Sequence, residues 1–489
     1  MIDIDNKENK IAVLGAGITG LTAAYLLQQM GKIPVVIERD SSSGGLAKTI
    51  DYNGFKFDLG GHRFLTNDYS LEIFVKNLLN RRYIIVPRSS TIYFNNQYIK
   101  YPLEPLDTFN KVGCLKSFQF MYDYILQKIQ TRKNSGHCQD KSLEDWVINR
   151  FGRSLYNAFF KEYSEKVWGL NCTKINSDWI AQRIQNLNLA KTIKSALIIK
   201  DRNKYATLTD KFIYPTYGIG SITDNLAQTI PRNNLLLETQ ILRIEHNNKK
   251  IKTIYIKRNN QPHRVNAQKF LSTIPLTSFV NLLEPRPPED VIAAAKLLKS
   301  RDLILVTLML SRQRVTRDSW IYFPEKHFPF GRIHEPKNWS ASMAPINKTS
   351  VVTEHFCFQG DDTWQSTDTQ LIEHSINSLC KLNMIDKKDV IDSLVVRVKN
   401  AYPLFEIGYR ENSETISRYL NKFSNLILAG RTGEFRYYNM DQAMLSAVDA
   451  VEKISNSRVD LNPDYVTDII NTKGRKPDEM RTYHTGLVT

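Results

Sequence analysis

The sequence has no apolar run long enough to cross a bilayer: the longest, around Leu303 to Leu310, falls far short of the ~20 residues a spanning helix needs. Cysteine is scarce and unpatterned. Cys114, Cys138, Cys172, Cys357 and Cys380 make an odd five, with no CxxC pair and no histidines at metal-ligand spacing. That argues against a disulfide framework and a bound metal, and predicts free thiols in a reducing compartment. The first ten residues, MIDIDNKENK, lack the basic start and apolar stretch of a secretory leader, so a cytoplasmic location is expected. Acidic residues are also in deficit, 50 against 66 basic, giving a formal charge of +16. Such a balance favours phosphates, nucleotides or an acidic membrane surface without choosing among them. The expected partner is an anionic small molecule rather than nucleic acid. Peripheral membrane contact stays open, and oligomeric state is not legible.

What is present organises well. A chain of 489 residues exceeds one compact core and suits two or three interlocked domains. The opening IAVLGAGITGLTAAYLLQQMGKIPVVIERD reads as strand, glycine turn, helix and second strand, one βαβ unit. From Asp51 to Phe94, aromatic and β-branched runs with turns at Asn53-Gly54 and Asn95-Asn96 predict hairpins. Helical spacing then takes over in LEDWVINRFGRSLYNAFFKEYSEKVW. A helix in YGIGSITDNLAQTI, a hairpin turned at Asn247-Asn248 and a strand at LSTIP follow. Strands dominate again from Leu303 to Phe358. NLILAGRTG is a strand and glycine turn leading into a helix from about Met440 to Lys453.

Gly15, Gly17 and Gly20 form GxGxxG between strand and helix, where backbone amides and a helix N-terminus can meet a pyrophosphate. Glu38 ends the next strand, placed for a ribose hydroxyl. Gly44-Gly45 and Gly60-Gly61 follow, where another βαβ repeat would continue a nicotinamide domain; such pairs predict close backbone approach to a large flat ligand.

With these motifs the chain resembles the flavoprotein superfamily of amine oxidases, protoporphyrinogen oxidases, phytoene desaturases and UDP-galactopyranose mutases. The resemblance implies bound FAD. It extends to the late segment GRTGEFRYYNMDQAMLSAVDAVEKI, implying cofactor contacts from Gly430, Arg431, Asn439, Met440 and Asp441. A helix N-terminus there can stabilise negative charge on reduced flavin. Ile241 is expected to meet adenine through its backbone. The fold expected is α/β: a discontinuous Rossmann-like FAD-binding domain (9–75, 214–275, 424–455), an antiparallel β-sheet substrate domain (76–104, 276–423), a helical insertion (105–213) and a polar tail (456–489).

Three stretches are similar to the mutases in particular. GGHRFLT resembles their GPHIFHT loop at His62, Phe64 and Thr66; FFKEYSEKVWG resembles KxYxxKxWG, placing Tyr163 and Trp168 at nucleotide and sugar; EFRYYNMD resembles EYKYYDMD, with Phe435 and Asn439 as departures. By this resemblance Arg183 serves the substrate diphosphate, with Arg301 opposite. His62 would serve near the flavin, and Tyr437 and Tyr438 would line the substrate site. The implied reaction is pyranose–furanose isomerisation of a nucleotide sugar through reduced flavin. A net oxidoreductase, passing hydride to FAD, is the alternative, supported by the oxidase-like segments Asp318 to Ser340 and Ala401 to Pro403. A non-catalytic binding protein of the same fold is the remote third.

Overall fold

The computed structural model describes residues 3–4, 9–103, 105–133, 140–184, 211–459 and 461. Five short apolar segments form a parallel sheet in the order Leu235–Leu236, Ile33–Ile37, Lys10–Leu14, Lys269–Ser272, Leu426–Leu428. Its residues alternate between two cores: Ala12, Leu14, Val35 and Ile37 on one face, Ile11, Val13 and Val36 on the other. Continuous apolar strands are what a parallel sheet covered on both faces requires. Helices Ile18–Gln29 and Met440–Ser455 cover the second face. The expected strand at LSTIP is the one beside the opening strand, with Leu271 in register with Val13.

A five-stranded sheet built around the hairpin Thr239–His246 and Ile251–Arg258 covers the first face. Its turn holds Asn248 at φ +64°. The larger body is a seven-stranded sheet in the order Val390–Pro403, Ser300–Leu310, Thr349–Cys357, Arg332–His334, Trp320–Tyr322, Ser90–Phe94, Gln97–Lys100. It is antiparallel except where Trp320–Tyr322 runs parallel to Ser90–Phe94. The hairpins expected at Asn53-Gly54 and Asn95-Asn96 form. Within 105–184 every regular element described is helical, including Cys114–Lys133, Leu143–Phe151 and Glu162–Trp168.

Two expectations need amendment. Tyr69–Leu78, in the predicted hairpin region, is a helix started by Asp68, whose carboxylate accepts from the Leu71 N–H at 2.8 Å. Helices Leu276–Asn281, Glu289–Leu297 and Tyr409–Leu420, assigned above to the substrate domain, bury Phe279, Val291 and Ile416 in the same core as Ala12 and Leu14. That core also takes in Trp146 and Trp168 of the insertion, so it runs between the expected domains, a continuity that no local pattern reports. Cys172, Cys357 and Cys380 are free thiols; the side chains of Cys114 and Cys138 lie outside the described residues.

Candidate functional site

The carboxyl ends of the parallel strands form a crevice whose glycines are there for different reasons. Gly15 sits at φ +102°, a region side chains disfavour, and its N–H donates to the Ile37 carbonyl at 2.8 Å. At Gly20 a Cβ would lie 2.0 Å from the Gly15 carbonyl oxygen, so helix and loop approach this closely because residue 20 has no side chain. Gly17 is otherwise. Its φ is −75°, and a Cβ would meet nothing nearer than the Gly45 Cα at 4.0 Å. It caps helix Ile18–Gln29 with no side-chain acceptor, where Ser or Asp would bond the open N–H groups. The chain itself does not require glycine at 17; a ligand seated on the helix N-terminus does. This fits the pyrophosphate of FAD.

Glu38 hangs beside this loop, its Oε2 accepting from the Ala16 N–H at 2.8 Å and its Oε1 from the Asp40 N–H at 3.0 Å. Each oxygen keeps a lone pair for a ribose hydroxyl. Ile241 precedes a bulge in the adjoining strand, a break that frees backbone groups from the ladder. Gly44 and Gly45 serve the loop rather than a flat ligand, which corrects the expectation above. The Gly44 N–H donates to the Ala16 carbonyl at 2.7 Å, and a Cβ on Gly45 would lie 3.0 Å from the Gly17 Cα. The close approach there is backbone on backbone.

The late segment docks onto the same helix end. Thr19 Oγ1 donates to the Ala443 carbonyl at 3.1 Å, and a Cβ on Gly430 would lie 2.6 Å from Thr19 Oγ1. Ser446 ties the turn, accepting from the Gly430 N–H at 2.9 Å and donating to Glu434 at 2.7 Å. This brings Arg431 into the cleft. Its guanidinium lies 4.8 Å from the Tyr402 ring centre and 4.7 Å from that of Tyr437, two near-parallel rings 6.0 Å apart. Nη1 donates to the Tyr438 carbonyl at 3.3 Å, whereas the buried Nε and Nη2 have no partner among the described residues. Trp168 packs edge-on against both Tyr402 and Tyr437, its buried Nε1 also without a partner there. Met440 and Asp441 open the following helix; Asp441 is partly buried, and desolvation raises its pKa. Asn439 precedes them as an exposed cap, its N–H donating to Gln442 at 3.0 Å. Tyr438 is half-buried, its hydroxyl pushed up to about 12 by desolvation and Glu434.

Gly60, Gly61 and His62 lie against a buried charge cluster. Glu354 is ion-paired with Arg332, lies 3.1 Å from His334 Nδ1, and accepts from the Gly61 N–H at 3.2 Å. His334 stacks on Trp339 at 4.9 Å. Desolvation opposes the charge on Glu354, but Arg332 and His334 overcome it and hold the carboxyl at about 2. Gly60 needs its φ of +113°, while Gly61 leaves a Cβ 3.7 Å of room. His62 is driven down to about 4 by desolvation and the positive charge of Arg431, so its imidazole is neutral near pH 7. Its Nδ1 is buried without a partner among the described residues. Tyr163 sits edge-on to Tyr322 at 5.5 Å, close enough to Arg332 to raise its pKa.

Arg301 corrects the sequence reading. Its Nε donates to the Val167 carbonyl at 2.9 Å, and Nη2 to those of Lys166 and Phe356 at 3.2 and 3.0 Å. It caps the end of helix Glu162–Trp168 and stacks on Phe358 at 4.1 Å, so its fork is not offered to a diphosphate. It positions Trp168 instead. Arg183 lies in helix Asp178–Ile184, but its side chain is outside the described residues. Phe435 is buried against Phe405 and Tyr409, in the core rather than on the cleft wall.

Arg332, His334 and Tyr402 fall within the segments read as oxidase-like, but neither they nor Glu354 were named as site residues from sequence. The signal was available: Arg332 and His334 alternate on one strand, and Glu354 stands within the apolar run VVTEHFC, where a charge must have a partner.

The buried histidines set a pH dependence. His62 and His355 both have folded pKa values of about 4 against an ordinary 6.5, chiefly through desolvation. Each takes up a proton on unfolding between those limits, so its contribution is full above pH 6.5 and is lost as pH falls towards 4. Asp58, buried and raised to about 6 from 3.8, acts oppositely over its own window. Melting temperature should therefore fall less steeply with acidification in a His355→Gln variant than in the parent. Parallel curves would contradict this.

The model of the family described as flavin containing amine oxidoreductase matches residues 18–455. Protoporphyrinogen oxidase 2 of Arabidopsis thaliana is 22% identical over 261 residues, 49% of this chain and 51% of that protein. L-amino-acid oxidase of Siganus canaliculatus is 28% identical over 219 residues, 42% of this chain and 39% of that protein. The matches thus span about half the length of these relatives or less. Among solved structures, reduced UDP-galactopyranose mutase superposes with a TM-score of 0.80 at 20% identity, covering 94% of this chain and 98% of that one. Cyclohexylamine oxidase of Brevibacterium oxydans gives 0.63 at 14% identity, covering 91% and 98%. With the glycine crevice, the late docking segment and a family match over most of its length, the chain belongs to the flavin containing amine oxidoreductases and is a FAD-dependent enzyme.

Proposed function

We propose that this enzyme acts on a negatively charged substrate, a nucleotide sugar, and isomerises its sugar ring without net oxidation, as the name of its mutase neighbour suggests. The observation that carries this reading is Arg431. A parallel pair of tyrosines is a good seat for a substrate cation, yet Tyr402 and Tyr437 already face the guanidinium of the protein's own arginine. A second cation is repelled there. An anion is attracted, and the free Nε and Nη2 give it two donors.

FAD, when bound, supplies two-electron redox chemistry or, once reduced, a nucleophilic ring nitrogen. Gly15, Gly17 and Gly20 would hold its pyrophosphate, Glu38 its ribose, and the loop Gly60–His62 with the Gly430 turn its ring, leaving the Arg431 side chain to the substrate. The side chains of the cleft mainly bind and orient. Arg431 stabilises negative charge, Trp168 donates through Nε1, and neutral His62 exchanges a hydrogen bond without adding charge. Tyr163 completes the wall beside Arg332.

Arg431→Met is expected to lower turnover by about 100-fold or more, the scale for removing a preorganised donor to developing charge, while leaving the fold intact. The direct test incubates dithionite-reduced and oxidised enzyme with a panel of nucleotide sugars under anaerobic conditions. Conversion by the reduced form alone supports the proposal. The second reading is a net oxidoreductase, favoured by the oxidases among the sequence relatives. Failure of the whole panel, with bleaching of the oxidised flavin by an amine or a porphyrinogen, would establish that reading instead.

A further inference from the structure

Helix Cys114–Lys133, 20 residues long, is amphipathic in the wrong sense for a helix packed on a protein. The face turned inward carries polar groups: Asp123 accepts from the Ser154 N–H at 3.0 Å, and Gln127 donates to Asn149 at 3.3 Å. Phe120 adds an apolar contact on that face, 6.0 Å from Phe159. The outward face is apolar. Leu115 is 88% exposed, Met121 49%, Tyr122 63%, Ile125 50%, Leu126 38% and Ile129 48%. At 3.6 residues per turn these six span an arc of about 140°. Exposed apolar patches of this kind mark contact surfaces.

We infer that this face docks on an anionic lipid bilayer. Two features select that partner. The arc is wider than the narrow seam of a paired coiled coil, and suits a helix lying in a membrane interface. The exposed charge at its edge is basic: Lys128 lies just beyond the arc, Arg132 and Lys133 follow in sequence, and the helix's one acid, Asp123, is turned inward. Two copies meeting through this face would find no carboxylate on it to pair with Lys128. An anionic headgroup layer matches both the rim and the chain's charge of +16. No helix among the described residues is long and apolar enough to cross the membrane, so the contact is peripheral. The insertion that docks is the one that supplies Tyr163 and Trp168 to the cleft, which fixes the active site relative to the surface.

Full-length holoenzyme should sediment with vesicles of phosphatidylcholine plus phosphatidylglycerol, and less in high salt. An Ile125→Glu/Ile129→Glu variant should lose that binding by about tenfold or more, with its flavin absorbance and melting temperature unchanged. Lys128→Gln, which leaves the apolar face intact, should weaken binding to the anionic vesicles and lessen its salt dependence. The inference is overturned if holoenzyme does not sediment with these vesicles, or if neither variant changes sedimentation. It is equally overturned if light scattering shows a dimer that the glutamate variant dissociates, since a second copy then covers the face.

Discussion

Glu354→Ala should cost the protein about 3–5 kcal/mol, the scale for removing one member of a buried ion pair. Arg332 is raised well above its ordinary pKa by Glu354 and cannot shed its proton, so the variant keeps a buried cation without its counter-charge. The same oxygen that faces His334 also holds the Gly61 N–H, so the loop presenting His62 loosens together with the core. Denaturant unfolding reads the first effect and flavin content of the purified protein the second. Glu354→Gln keeps the shape but not the charge, and should fall between parent and alanine variant. A loss under 1 kcal/mol would mean that the cluster is hydrated rather than dry.

The two inner glycines of the crevice should separate fold from cofactor. Gly20→Ala drives a Cβ to 2.0 Å from a backbone oxygen that has no side-chain freedom to escape. It should lower stability by about 1–3 kcal/mol, as overpacking does, and release flavin. Gly17→Ala meets only ordinary space and keeps φ at −75°, so the apo form should lose no more than about 1 kcal/mol, the preference of an N-cap for glycine over alanine. Its flavin affinity should nevertheless fall at least about tenfold, because the methyl group occupies the ligand's place. Apo melting curves and FAD titrations measure the two quantities independently. Equal FAD affinity in parent and Gly17→Ala would remove the pyrophosphate from that position.

Much of this was legible because it is local. Strand, turn, helix and acid follow in order from Lys10 to Glu38, and the Asn-Gly and Asn-Asn turns announce their hairpins. The late segment was legible through resemblance, and the structure gives the physical reason for its placement: Thr19 and Gly430 fit one another. What escaped the sequence depends on contacts between distant elements. Arg301 looks like any diphosphate arginine until the helix end at Val167 takes its donors. Gly44-Gly45 looks like a ligand cradle until Ala16 and Gly17 arrive against it. Glu354 is a single acid in an apolar strand until Arg332 and His334 come alongside. Phe435 and Asn439, the departures from the mutase pattern, lie in the core and at a helix cap rather than among the rings around Arg431.

The central claim, isomerisation of an anionic sugar without net redox change, is tested most directly by following the flavin's visible absorbance while the reduced enzyme turns over anaerobically. With a nucleotide sugar from the panel, product should accumulate through many turnovers per enzyme while the flavin stays bleached. Stoichiometric reoxidation of the flavin as product forms, or product formation only from oxidised enzyme, would contradict the claim.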